Sequence, residues 1–158
     1  MIADRVAAKS GAEWKAEKRW QAELTRMGQC WLCKPQAYMN LSGHAVASVA
    51  AYYKILPEAV LIVLDDVAIP LGKLRLRAGG GPGGHNGLRS VIEHIGTDQV
   101  PRLRVGIGGA PGHEMVDHVL GRFHPDEKDS LVETLERAVA ALECAQTDGL
   151  PAAMNAFN

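Results

Sequence analysis

A chain of 158 residues with 47% hydrophobic and 22% charged side chains has an ordinary globular composition, which excludes a disordered chain and a membrane protein. It is long enough to bury a core as a single domain, and a formal net charge of -1 requires any nucleic-acid surface to come from local clusters of Lys and Arg. The start Met1-Ile2-Ala3-Asp4-Arg5 lacks a basic segment followed by an apolar one, and no apolar run approaches the roughly 20 residues of a spanning helix, so a cytoplasmic protein is expected.

Ile2 to Lys9 reads as a short helix with Ile2 and Val6 on one face and Gly11 as its stop. No capping residue precedes Ile2, so the chain begins inside the element. Trp14 to Arg26 is open between a charged helix and a strand that turns at Met27-Gly28 to pair with Cys30 to Cys33; the hairpin is favoured. Cys30 and Cys33 form a lone CxxC, with Cys144 far away and no second pair to complete a zinc site. On a strand, residues three apart point to opposite faces, so buried structural thiols are expected.

Pro35 ends that strand by removing a ladder donor. Asn40 or Ser42 can cap a helix running to about Lys54, with Val46, Val49, Ala50 and Tyr53 at helical spacing. Asn40 is then either this cap alone or a site residue. Leu61-Ile62-Val63-Leu64 reads as a strand covered on both faces, ending in Asp65-Asp66. Ligands gather at the carboxyl ends of strands in open α/β sheets, although acids there also serve as solubilising turn residues. After a turn at Ile69 to Gly72, strict alternation in Lys73-Leu74-Arg75-Leu76-Arg77 puts the cations on one strand face and both leucines on the other. Arg102-Leu103-Arg104-Val105 repeats the device.

Gly79-Gly80-Gly81-Pro82-Gly83-Gly84-His85-Asn86-Gly87 runs directly into the helix-like Leu88 to Ile95. Glycine permits positive φ and close backbone approach, and a helix opening there offers unpaired N–H groups to an anion. Such a stretch is either a connection or a phosphate or oxyanion site, and the basic strand leading into it favours the second. Beyond it, Gly109 to Gly112 reads as a loop, Val116 to Phe123 as an element ending near Pro125, and Pro125 as the first turn of a long helix. Val132, Leu135, Val139 and Leu142 give that helix an apolar stripe, Gly149 stops it, and Ala152 to Phe157 is a short tail. No repeat or linker divides the chain.

Three motifs fail on context. Gly79-x-Gly81-x-x-Gly84 has the dinucleotide spacing, but the strand before it is basic and Pro82 interrupts it. No Lys-Ser or Lys-Thr follows the glycines, and no Gly-x-Ser-x-Gly elbow is present. His44, His94, His113, His118 and His124 are scattered without metal-ligand spacing.

Taken in order, Lys34-Pro35-Gln36-Ala37-Tyr38-Met39-Asn40-Leu41-Ser42-Gly43, Asp65-Asp66 with Pro70-Leu71-Gly72, Gly79 to Ser90, Arg102 to Gly108, Val119 to Phe123 and Ala153 to Asn158 resemble the bacterial peptidyl-tRNA hydrolase family. The resemblance spans nearly the whole chain. It implies an α/β fold, a mixed β-sheet flanked by helices, and hydrolysis of the ester between a peptide and the 3′ adenosine of tRNA, without metal or cofactor and mostly as a monomer. It also implies roles. Asp65 matches the acid that orients the base histidine, Asn40 and Asn86 substrate-binding asparagines, Tyr38 the aromatic beside the adenosine, and His85 the second site histidine. Lys73, Arg75, Arg77, Arg102 and Arg104 are phosphate contacts by looser analogy.

One departure accompanies it. The family begins with a strand, a Gly-x-Gly-Asn-Pro-Gly loop and a Thr-Arg-His-Asn-x-Gly-Phe segment whose histidine is the general base, and Ile2 to Ala7 matches the residues just after that segment. The first strand and the base are thus expected to be missing. A positioned base is typically worth ~10²–10⁴-fold in rate, so the chain as written is expected to be impaired. Either the start lies downstream of the real one, or the chain is a non-catalytic RNA-binding homologue. An unstable fragment is the third reading.

Overall fold

The alternating residues from Ala22 to Pro35 form the favoured hairpin. In the computed structural model, which describes residues 1–108 and 128–158, β1 (Lys15–Glu17), β2 (Ala22–Met27) and β3 (Cys30–Pro35) make an antiparallel sheet in that order. The register pairs Leu24 with Cys33 and Met27 with Cys30, leaving Gly28 and Gln29 as the turn. One face of the sheet meets α2 (Ser42–Tyr52): Trp20, Ala22 and Leu24 pack with Ala45 and Val49, and Cys33 and Tyr53 close the cluster. Trp31 stacks on Tyr53 with ring centroids 4.1 Å apart. Toward α1 (Ile2–Lys9), Lys34 of β3 reaches Asp4 at 2.7 Å and also Glu23 at 2.9 Å.

These contacts and the packing around them shift the protonation of three side chains. Hydrogen bonding from Lys34, and then from the Met1 ammonium, holds the Asp4 carboxyl down at about 2. Burial pushes the Cys33 thiol up to about 11, and Cys30 is raised for the same reason. Both are partly rather than fully buried, short of the burial expected. Among the described residues, no group of three or more His, Cys, Asp or Glu side chains is placed to hold a metal ion.

The first unit comprises residues 1–62 and 78–101, and includes α3 (Asn86–Ile95). Residues 63–77 and 102–158 form a second unit, built on β4 (Ile62–Asp66), β5 (Leu74–Arg77) and β6 (Arg102–Gly106). Their order is β4-β6-β5. β5 and β6 are antiparallel, with Leu74 opposite Val105 and Arg77 opposite Arg102. The Ile62 amide donates to Pro101 O at 2.8 Å and the Ile107 amide to Asp66 O at 3.2 Å, so β4 runs parallel to β6 and the sheet is mixed. The α/β class with a mixed sheet is therefore present, while the described strands are shared between two three-stranded sheets rather than one.

Leu74, Leu76 and Leu103 are fully buried in the second sheet, each contributing ~1.5–3 kcal/mol of transfer free energy. Residues Lys128–Thr147 form α4, and Leu150–Phe157 form α5 where a tail was expected. The last residue holds that helix to the sheet: the Leu76 amide donates to Asn158 Oδ1 at 2.6 Å, and Asn158 Nδ2 donates to Leu76 O at 3.1 Å.

Some expectations fail in detail. α2 begins at Ser42 with Leu41 as its N-cap and no side-chain capping bond, so neither Asn40 nor Ser42 caps it, and it ends at Tyr52. Val63 is 39% exposed, so β4 is not covered on both faces there. The α4 stripe keeps Leu135 and Val139 but adds Ala138 and Ala141, whereas Val132 is 41% exposed. The Gly109 to Gly112 loop, the Val116 to Phe123 element and the Pro125 helix start lie outside the described residues.

Candidate functional site

Two glycines bring separated polar segments together in the first unit. The amide of Gly43, in the first turn of α2, donates to Ser90 Oγ of α3 at 3.0 Å, and a Cβ at Gly43 would overlap the Ser90 carbonyl. The helices can cross this closely only because residue 43 has no side chain. One turn earlier, a Cβ at Gly87 would lie 2.6 Å from Met39 Sδ, so Gly87 admits Met39 against the start of α3. The 3₁₀ turn Met39–Leu41, carrying Tyr38 and Asn40 toward solvent, is thereby seated beside His85 and Asn86. Tyr38 is 82% exposed.

The glycine stretch ends in successive left-handed residues, Gly83 at φ 58° and Gly84 at φ 83°, followed by extended His85 at φ -80°, ψ 113°. His85 is the N-cap of α3. Its Nδ1 accepts from the Leu88 amide at 3.1 Å, so in the neutral ring the proton sits on Nε2. That tautomer has no ring nitrogen left to take a proton. The remaining first-turn amides, those of Asn86 and Gly87, carry the positive end of the helix dipole.

In the second unit, Asp65 and Asp66 are the last two residues of β4, as the apolar run ending in acids suggested. They differ in their neighbours. Asp66 Oδ1 accepts from the Ala68 amide at 2.9 Å and Oδ2 lies 3.4 Å from Arg104 Nη1, which makes Asp66 structural. Asp65 is partly buried at the strand end.

The basic residues divide likewise. Lys73, Arg75 and Arg77 are exposed, while Leu74 and Leu76 face the core, as period two requires. Arg102 is only 3% exposed, and Arg104 is engaged with Asp66. The expected phosphate-contact role therefore does not suit Arg102. β6 is the middle strand of its sheet, and its successive residues are buried on both faces. The role missed in the sequence was that of Gly43, an isolated glycine in a helical position, a pattern that marks close backbone approach; Gly87 was read as part of the glycine stretch, without its contact to Met39.

Exposed Tyr38 and Asn40 thus stand beside a histidine-capped helix N-terminus in an α/β protein, an arrangement whose amides are able to receive an anion or a developing oxyanion. Comparison with known proteins makes the reading specific. A peptidyl-tRNA hydrolase family profile matches residues 1–158. The peptidyl-tRNA hydrolase of Synechococcus sp. (strain JA-3-3Ab) is 47% identical over all of this chain and 72% of its own length, and that of Symbiobacterium thermophilum is 46% identical over all of this chain and 87% of its own. The crystal structure of the Acinetobacter baumannii peptidyl-tRNA hydrolase aligns with a TM-score of 0.90 at 34% identity, covering 99% of this chain and 82% of the other. The chain belongs to the peptidyl-tRNA hydrolase family.

Proposed function

We propose that the protein hydrolyses the ester between a peptide and the 3′ adenosine of tRNA, with the 158 residues acting as one domain. Family membership over the whole chain is the observation that carries this reading. Water attacks the ester carbonyl and loses a proton to a histidine oriented by Asp65. The tetrahedral oxyanion is held by amide donors near Asn40 and Asn86, and its collapse, with the histidine returning its proton to the departing 3′ oxygen, releases the peptide acid, which ionises to the carboxylate, and a tRNA 3′ hydroxyl. Tyr38 lies along the adenosine, His85 helps hold the substrate, and Lys73, Arg75 and Arg77 hold phosphates, with Arg104 secondary. The protein works as a cytoplasmic monomer without metal or cofactor.

The base histidine belongs to a segment outside these 158 residues. Two observations support this. His85 Nδ1 is committed to the Leu88 amide, so His85 is unsuited to the task. β3 and β4 are each paired along only one edge among the described residues, and β3 carries partly buried side chains throughout, unlike a solvent-facing edge strand. The test is hydrolysis of an N-acylated aminoacyl-tRNA by this chain and by a chain extended through the in-frame upstream codons. The extended enzyme should be at least ~10²-fold faster. An upstream frame without a Gly-x-Gly-Asn-Pro-Gly and His-Asn segment would sink this part of the reading. Salt-sensitive tRNA binding without turnover, in the extended chain too, would favour the non-catalytic RNA-binding homologue, which the committed His85 equally suits.

A further inference from the structure

The first unit contains a cavity of about 310 Å³ whose walls include Lys18, Arg19, Trp20, Gln21, His44 and His94 and no carboxylate. Its volume lies at the lower end of small-ligand sites. The walls come from the 3₁₀ turn Lys18–Trp20, the first turn of α2 and the last turn of α3. The cavity is therefore lined from the opposite end of α3 to His85.

Arg19, His44 and His94 have defined neighbours, while Lys18 is exposed. The Arg19 guanidinium lies 3.8 Å from the Trp20 ring centroid and 4.5 Å from that of Tyr52, within cation–π range of both aromatics. Its acidic neighbour is Glu17, a distant 3.8 Å away. His44 and His94 stand edge to face with centroids 6.2 Å apart. His94 Nδ1 lies 2.8 Å from Ser90 O, and a carbonyl only accepts, so Nδ1 carries the proton and Nε2 remains for a ligand. Nε2 accepts from a P–OH in the neutral ring and donates to a P–O⁻ once the ring is protonated. Gln21, beside the cations, takes the left-handed conformation (φ 47°, ψ 49°) unusual for a non-glycine residue, and the Gln36 amide holds its carbonyl at 2.8 Å.

We propose that this cavity is a phosphate subsite, separate from the ester site, in which Lys18 and Arg19 supply charge and His44 and His94 supply ring nitrogens. A planar guanidinium near aromatic rings and beside a lysine suits phosphate oxygens, and the volume admits a phosphate with an attached sugar. The phosphate comes either from an RNA backbone or from a free anion.

The test monitors the histidine side-chain NMR resonances of the labelled 158-residue chain at constant ionic strength, titrated with inorganic phosphate and, separately, with a short unacylated single-stranded RNA. Saturable shifts at His44 and His94 are expected with at least one probe, and Lys18→Gln should weaken that binding about tenfold. A response to RNA that phosphate competes away identifies a backbone phosphate as the source; a response to phosphate alone identifies the free anion. Unmoved His44 and His94 resonances, or identical titrations in Lys18→Gln, overturn the proposal. Ester hydrolysis is not read in this experiment, so a subsite failure is distinct from a failure of the catalytic reading.

Discussion

Gly43 has no room for a side chain, because a Cβ there would meet the Ser90 carbonyl across the α2–α3 crossing. Gly43→Ala is expected to destabilise by about 1–3 kcal/mol, as overpacking does, with a lower urea midpoint and an unchanged m-value. Asp65 and Asn40 bear on activity instead. In the histidine-bearing enzyme, Asn40→Ala should lower kcat by about 10²–10³-fold if it serves the oxyanion, and Asp65→Asn should lower it without shifting the thermal midpoint by more than a degree or two. A third residue-scale expectation concerns acid. Lys34 holds the Asp4 carboxyl down at about 2 in the fold against 3.8 in the open chain. Its contribution is therefore present above pH ~4 and is lost as pH falls from there through 2. The pair is half exposed, so the effect is below about 1 kcal/mol. Melting temperature against pH should lose this slope in Asp4→Asn.

At the scale of elements, α4 separates pattern from packing. Val132 and Leu135 share one apolar stripe in the sequence, but only Leu135 is buried. Leu135→Ala should cost ~2–5 kcal/mol and Val132→Ala no more than about 0.5 kcal/mol, both read by chemical denaturation. α5 is anchored through Asn158, whose amide satisfies both backbone groups of Leu76 on an edge strand. Asn158→Ala leaves those groups to water and should cost about 1–3 kcal/mol, with faster amide exchange at Leu76.

For the whole molecule, local pattern served where one element decides the outcome. Leu74 and Leu76 face the core and Lys73, Arg75 and Arg77 face solvent because alternation is a property of the strand itself. The same alternation misled at Arg102. Nothing within Arg102-Leu103-Arg104-Val105 tells that β6 is the middle strand, with Arg102 buried among its neighbours. The hairpin and α1 were legible for the local reason; the division of the ladders into two sheets was not, since pairing joins residues far apart in the chain.

By itself, the sequence determined the α/β class, the exposed basic ridge and the family, because these reside in residue order and in periods of two and 3.6. Only the tertiary structure decided that His85 spends Nδ1 on the Leu88 amide, that Asp66 pairs with Arg104, and that Gly43 and Gly87 seat the Asn40 turn against α3. Each of these depends on a partner brought close by folding, and side-chain chemistry at a site is set by such partners.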